Sequence, residues 1–126
     1  MMTEKWMETQ KPEEKILVAV KTPLMPNATT AFLPPGLTLS ECLLEIRKIP
    51  PKDECERRIQ IQIGIETSGT YEFLIVKQGI VQSVSPGMVL AEIAEPREVR
   101  TPRGLTRVPT AQFEVQAYAR VGGVLF

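Results

Sequence analysis

The sequence predicts an all-β domain, a compact sandwich or barrel of about eight short strands with an extended N-terminal arm. Three observations predict it. Short β-branched runs recur along the chain, Ile59 to Ile65 alternates isoleucine with Gln or Gly at the strand period of two, and most of the eleven prolines stand where such runs end. At 126 residues, 43% hydrophobic and 24% charged, the chain has the size and composition of one globular domain that needs no disulfide or metal to hold its core.

Residues 1–15 mix Glu, Lys, Thr and Gln around Trp6 and Pro12 without core periodicity and read as an arm held by a neighbouring subunit; residues 16–126 read as one β domain. Ile16 to Val20 is a short apolar run closed by Lys21-Thr22-Pro23, the pattern of a buried strand. Asn27 to Leu33 suits a second strand, stopped by Pro34-Pro35-Gly36. Leu37 to Lys48 is ambiguous. Leu39, Leu43 and Ile46 would line a helix face, but Ser40 followed by Leu43 makes no capping box, and Cys42, Leu44 and Ile46 share one side of a strand, which is the preferred reading. Pro50 to Glu54 then reads as a charged loop.

The isoleucine alternation makes Ile59 to Ile65 a half-buried strand with Ile61 on its buried face, so Ile61→Asp is expected to unfold the domain. Thr67-Ser68-Gly69 turns the chain into Thr70 to Val76, completing an antiparallel hairpin. Gly79 permits the next turn, Ile80, Val81 and Val84 lead into Ser85-Pro86-Gly87, and Met88 to Ile93 forms a further strand. Pro96, Pro102, Gly104 and Pro109 punctuate a basic connection before the last strands, Gln112 to Tyr118 and Val121 to Phe126. The apolar end, Val124-Leu125-Phe126, is expected to be buried in the core or against a neighbour.

Fifteen Lys and Arg balance fifteen Asp and Glu, which argues against a polyanion gripped by charge neutralisation and hence against direct nucleic-acid binding. No run approaches a membrane span, and the polar start lacks the apolar stretch of a secretory signal. The absence of histidine removes the commonest general base, metal ligand and triad partner together. Cys42 and Cys55 cannot complete a tetrahedral zinc shell. Cys42 lies beside Leu43 and Leu44 as a small core hydrophobe, whereas Cys55 stands among Asp53, Glu54 and Glu56, with Arg57 and Arg58 opposing their charge. Glu66-Thr67-Ser68-Gly69 lacks the aspartate and spacing of an aspartic protease dyad. No catalytic, cofactor or metal residue is assigned, and the protein is expected not to be an enzyme.

What remains are partner-binding candidates. Arg97, Arg100, Arg103 and Arg107 place a charge about every third residue on a Pro/Gly-rich connection without interleaved aromatics, which favours an acidic protein face over stacked bases. Trp6 and Phe126 are the apolar contacts of arm and tail.

Within the segment Gly79 to Ile93 (GIVQSVSPGMVLAEI), the Gly-x-x-Leu-x-x-Ile turn and strand from Gly87 to Ile93 resembles phage head-decoration proteins. The β-run, turn and strand closed by Pro-Gly-x-x-Leu-Ala-x-Ile also look like the end of dUTPase-like β domains. The first resemblance implies a structural protein that stabilises a capsid shell through oligomeric contacts, as a homotrimer, on a virion surface or in the host cytoplasm. The second implies a nucleotide- or ligand-binding module with Tyr71 and the Ser83 to Gly87 turn near a pocket. The dUTPase catalytic motifs have no counterpart here. Biotinyl and lipoyl domains share the turn, but Lys77, flanked by Val76 and Gln78, does not fit their carrier lysine.

Overall fold

The computed structural model describes residues 15–118; Trp6, Phe126, and the arm and tail contacts expected of them lie outside the described residues. The elements in chain order are β1 (Ile16–Lys21), β2 (Thr29–Leu33), α1 (Leu39–Arg47), α2 (Glu54–Glu66), β3 (Tyr71–Lys77), β4 (Ile80–Val84), α3 (Leu90–Ile93), β5 (Glu95–Thr101) and β6 (Gly104–Ala117). This is a mixed α/β fold, and the all-β expectation is overturned.

The strands form one sheet of order β2-β1-β6-β3-β4, with β5 paired to β6 off that path. β1 and β6 run parallel at the centre, from Leu17 beside Thr110 to Lys21 beside Glu114, and every other ladder is antiparallel. Because β3 meets β6 at residues 114–117 and β5 meets it at 104–110, the two follow one another along one side of β6 while β1 takes the other. One sheet face carries Ile16, Val18, Val20, Leu33, Phe73, Ile75, Ala111, Phe113 and Val115, all buried. Leu39, Cys42, Leu43, Ile46, Ile59, Ile63 and Leu90 from the helices close over it. Each of the larger of these side chains contributes about 1.5–3 kcal/mol by leaving water. Phe73 sits between Tyr71 and Phe113 in edge-on contacts, with ring centroids 5.6 and 5.5 Å away.

Ile59 to Ile65 is the inner part of α2, not a strand. Residues spaced by two also contain pairs spaced by four, and the helix uses the latter: Ile59 and Ile63 are buried while Ile61 and Ile65 are exposed at 49% and 53%. The cues that decide for a helix lie upstream, in the segment that reads as a charged loop. The Asp53 carboxylate accepts from the Glu56 N–H at 2.9 Å as N-cap, and Glu54 pairs with Arg57 at 3.0 Å and Arg58 at 3.6 Å, one turn on. Those contacts hold the Glu54 carboxyl below its ordinary value, chiefly through the Arg57 hydrogen bond.

The strand expected at Leu37 to Lys48 is likewise α1. Thr38 and Glu41 form a reciprocal capping box, the Thr38 hydroxyl accepting from the Glu41 N–H at 3.2 Å and the Glu41 carboxylate from the Thr38 N–H at 2.9 Å. The strand expected at Met88 to Ile93 gives way to the short helix α3. The segment that carries the family resemblances therefore ends in a helical turn, and its backbone is stitched to the start of α1 by Leu39 N–H to Met88 O (2.9 Å) and Leu90 N–H to Leu37 O (2.8 Å).

A buried carboxylate ties the helical layer to the sheet. Glu66, fully buried at the end of α2, accepts the Ala117 N–H at 2.8 Å and the Gln62 side-chain amide at 3.1 Å. These bonds offset the cost of removing the group from water and fix the helix end against the last residue of β6.

Candidate protein-docking surfaces

Two parts of the sheet lie beyond the helical layer. The first is the ribbon made by β5 and the first half of β6. The predicted connection is a seven-pair antiparallel ladder, from Glu95 beside Thr110 to Thr101 beside Gly104. Pro102 starts the turn, and Gly104, at φ +108°, takes the backbone region that favours glycine. The Thr101 hydroxyl braces the turn by donating to the Gly104 carbonyl at 2.9 Å and accepting from the Arg103 N–H at 3.2 Å.

Strand alternation separates the four candidate arginines. Arg97 shares a face with Glu95, Val99, Thr106 and Val108; Arg100 and Arg107 share the opposite face with Glu98 and Leu105; Arg103 stands at the turn. All four are exposed. Arg97 reaches Glu95 at 3.9 Å, a half-exposed pair of small energetic weight. The basic strip expected along a loop is thus a two-faced ribbon with a charged tip, four arginines against two glutamates.

The second bare part is β4 with the turn that joins it to β3, whose own Phe73 and Ile75 lie in the core. Gln78 and Gly79, at φ 54° and 79°, make a tight two-residue turn in which both positions have positive φ. Lys77 and Ile80 close it, so the pairs 77/80, 75/82 and 73/84 exchange hydrogen bonds, while Val81 and Ser83 direct their backbone groups outward. The strand IVQSV carries no charge, and Ile80 and Val81 are exposed at 63% and 61%. Val76 beside Val81 continues the apolar surface on the open sheet face into a groove of about 290 Å³ lined partly by Ala19, Leu74, Gln112 and Glu114. Sequence reasoning did not single out this edge; its signal is a five-residue β-branched strand with no Lys, Glu or Pro to guard it.

Other sequence-singled residues serve structure. Tyr71 packs on Phe73, Ser83 donates to Glu72 at 2.7 Å, and the Ser85 hydroxyl accepts the Gly87 N–H at 3.0 Å within the turn. Both cysteines are free thiols. Burial, reinforced by Glu41 and Glu45, pushes the Cys42 thiol up to about 12. Cys55 is exposed in the first turn of α2, where the Asn27 amide donates to its sulfur at 3.6 Å. Among the described residues no group of His, Cys, Asp and Glu could hold a metal ion, and no helix is long and apolar enough to cross a membrane.

No family model matches the sequence, and no curated protein is similar to it. Among solved structures, the chain is similar to the C-domain of the Hsp90 co-chaperone Cns1 from Saccharomyces cerevisiae, with a TM-score of 0.53 at 10% identity over 86% of this chain and 63% of that one. It is similar to a longer Cns1 chain (delta69) with the same score, identity and coverage of this chain, over 33% of that one. The chain therefore spans less than two thirds of either neighbour, and the likeness is one of fold.

Proposed function

We propose that this protein is a non-enzymatic docking module that joins an assembly through the β5–β6 ribbon, whose arginines meet an acidic face of a partner protein. The observation that carries the reading is the placement of Arg97, Arg100, Arg103 and Arg107 on an exposed ribbon outside the helix-covered core. An isolated two-stranded ribbon is marginal in water, so a partner that orders it adds stability as well as specificity. Arginine suits that role because its planar fork binds carboxylates in pairs of hydrogen bonds. The fold neighbours point the same way, since a co-chaperone of Hsp90 is named for its work with another protein. Attachment to a capsid shell is a narrower form of this reading and rests on the Gly79 to Ile93 resemblance alone.

The test is fluorescence anisotropy with a labelled Asp/Glu-rich peptide, comparing the wild type with the double reversal Arg100→Glu/Arg107→Glu. Wild-type binding should weaken with added salt, and the variant should bind about tenfold more weakly or worse with its circular dichroism unchanged. Equal binding by the two proteins, or tighter wild-type binding to duplex DNA than to the peptide, would contradict the reading.

A further inference from the structure

We infer that the β4 edge is a self-association surface on which a second copy of this chain pairs, β4 against β4, antiparallel across a two-fold axis at Gln82. This inference concerns a different surface from the ribbon and stands independently of it.

The strand is self-complementary. With Gln82 opposite its own copy, Val81 faces Ser83 and Ile80 faces Val84 in both directions, as an isologous contact requires. The backbone groups match in the same register. Val81 and Ser83 are the residues whose N–H and C=O point away from β3, so each 81/83 pair can exchange two hydrogen bonds without disturbing the hairpin, while Gln82 falls in a pair without them. Charge favours a like partner here: no residue of β4 is charged, so self-pairing opposes no like charges, whereas the ribbon would set arginine against arginine. Pairing would also cover Ile80 and Val81, which the single chain leaves more than half exposed.

The opposite edge is guarded. β2 lies between Pro26 and Pro34-Pro35, its Thr29 and Leu33 are buried, and α1 and α2 pack against it. Among the described residues β4 ladders only with β3, and its outer N–H and C=O groups at Val81 and Ser83 have no strand beside them. The two-residue turn at Gln78-Gly79 presets the strand's twist, so little ordering remains when a second strand arrives.

The experiment is sedimentation velocity of the full chain across a concentration series, with Gln82→Lys and Gln82→Glu measured alone and mixed. On the axis the introduced side chains lie directly opposite each other, so each variant alone should need about fivefold higher concentration to dimerise. The equimolar mixture should recover at least wild-type association, now as a heterodimer. Ser83→Pro removes an outward N–H and the side-chain bond to Glu72 but no backbone bond of the hairpin, and should be monomeric and folded, with Ser83→Ala, which loses only the Glu72 bond, associating like the wild type. A wild type that stays monomeric at every concentration would overturn the inference. So would a dimer indifferent to Gln82→Lys, or a mixture no more associated than its components.

Discussion

The half of the sheet built from β1, β2 and the end of β6 is covered on one face by helices and held by side chains such as Val18, Val20, Ile63 and Val115, all at 0% exposure. The half built from β4 and the β5–β6 ribbon has similar backbone ladders but almost no buried side chain beyond Val84, Val99 and the base of the ribbon. Both halves are built on strand ladders, so what chiefly separates them is apolar burial. Ladders alone define a shape; the covered half supplies the stability, and the bare half is left to be completed by other chains.

The sharpest way to break that contrast is to charge each side of α2. Ile63→Asp puts a carboxyl group into the covered half and should unfold the domain, because burying it without a partner and losing the Ile63 packing together cost several kcal/mol, a large share of the roughly 5–15 kcal/mol that holds a typical domain together. Ile61→Asp, on the exposed side, should change stability by about 0.5 kcal/mol at most. Urea denaturation followed by circular dichroism measures both. An unfolded Ile61→Asp would restore the strand register that the alternation predicts.

The thiols report the same division chemically. Cys55 should react with a disulfide reagent in the native protein, whereas Cys42 should react only after denaturation, giving one thiol and then two by absorbance. Because the folded Cys42 thiol titrates near 12 against 9.0 for the free group, its contribution to stability is intact below pH 9 and declines as the pH rises from 9 toward 12. Cys42→Ala should remove that part of the alkaline slope.

The smallest effect is expected at Thr22, fully buried after β1, whose hydroxyl has no hydrogen-bond partner among the described residues. Thr22→Val keeps the shape and removes the polar atom, so it should be neutral or stabilising by up to about 1 kcal/mol in the same denaturation assay. A loss of stability would mean the hydroxyl is satisfied after all.

The covered half was legible in part. Ile16 to Val20, Asn27 to Leu33 and Thr70 to Val76 read correctly as strands because β-branched runs ended at turn residues. Both longer helices were missed for reasons visible in the chain. At α2 the isoleucines satisfy a period of two and a spacing of four equally, and the deciding N-cap and charge pairs lie upstream of Ile59 in residues that also suit a loop. At α1 the capping box belongs to Thr38 and Glu41, two residues before Ser40 and Leu43, which make none. The ribbon was hidden by its prolines, since Pro96 and Pro109 read as breaks but sit opposite each other in a pair that needs no N–H toward its partner. The exposed β4 edge leaves only the unguarded run IVQSV in the sequence, and that run is recognised as an edge once the sheet order puts it outermost.

Residue-resolved amide hydrogen exchange, on dilute and on concentrated protein, tests the division most directly. Slow exchange is expected at Val18, Val20, Phe113 and Val115 in both samples. Fast exchange is expected through the ribbon in both, and protection at Val81 and Ser83 only on concentration. A ribbon as protected as the core, or Val81 and Ser83 amides that stay fast at every concentration, would contradict that division.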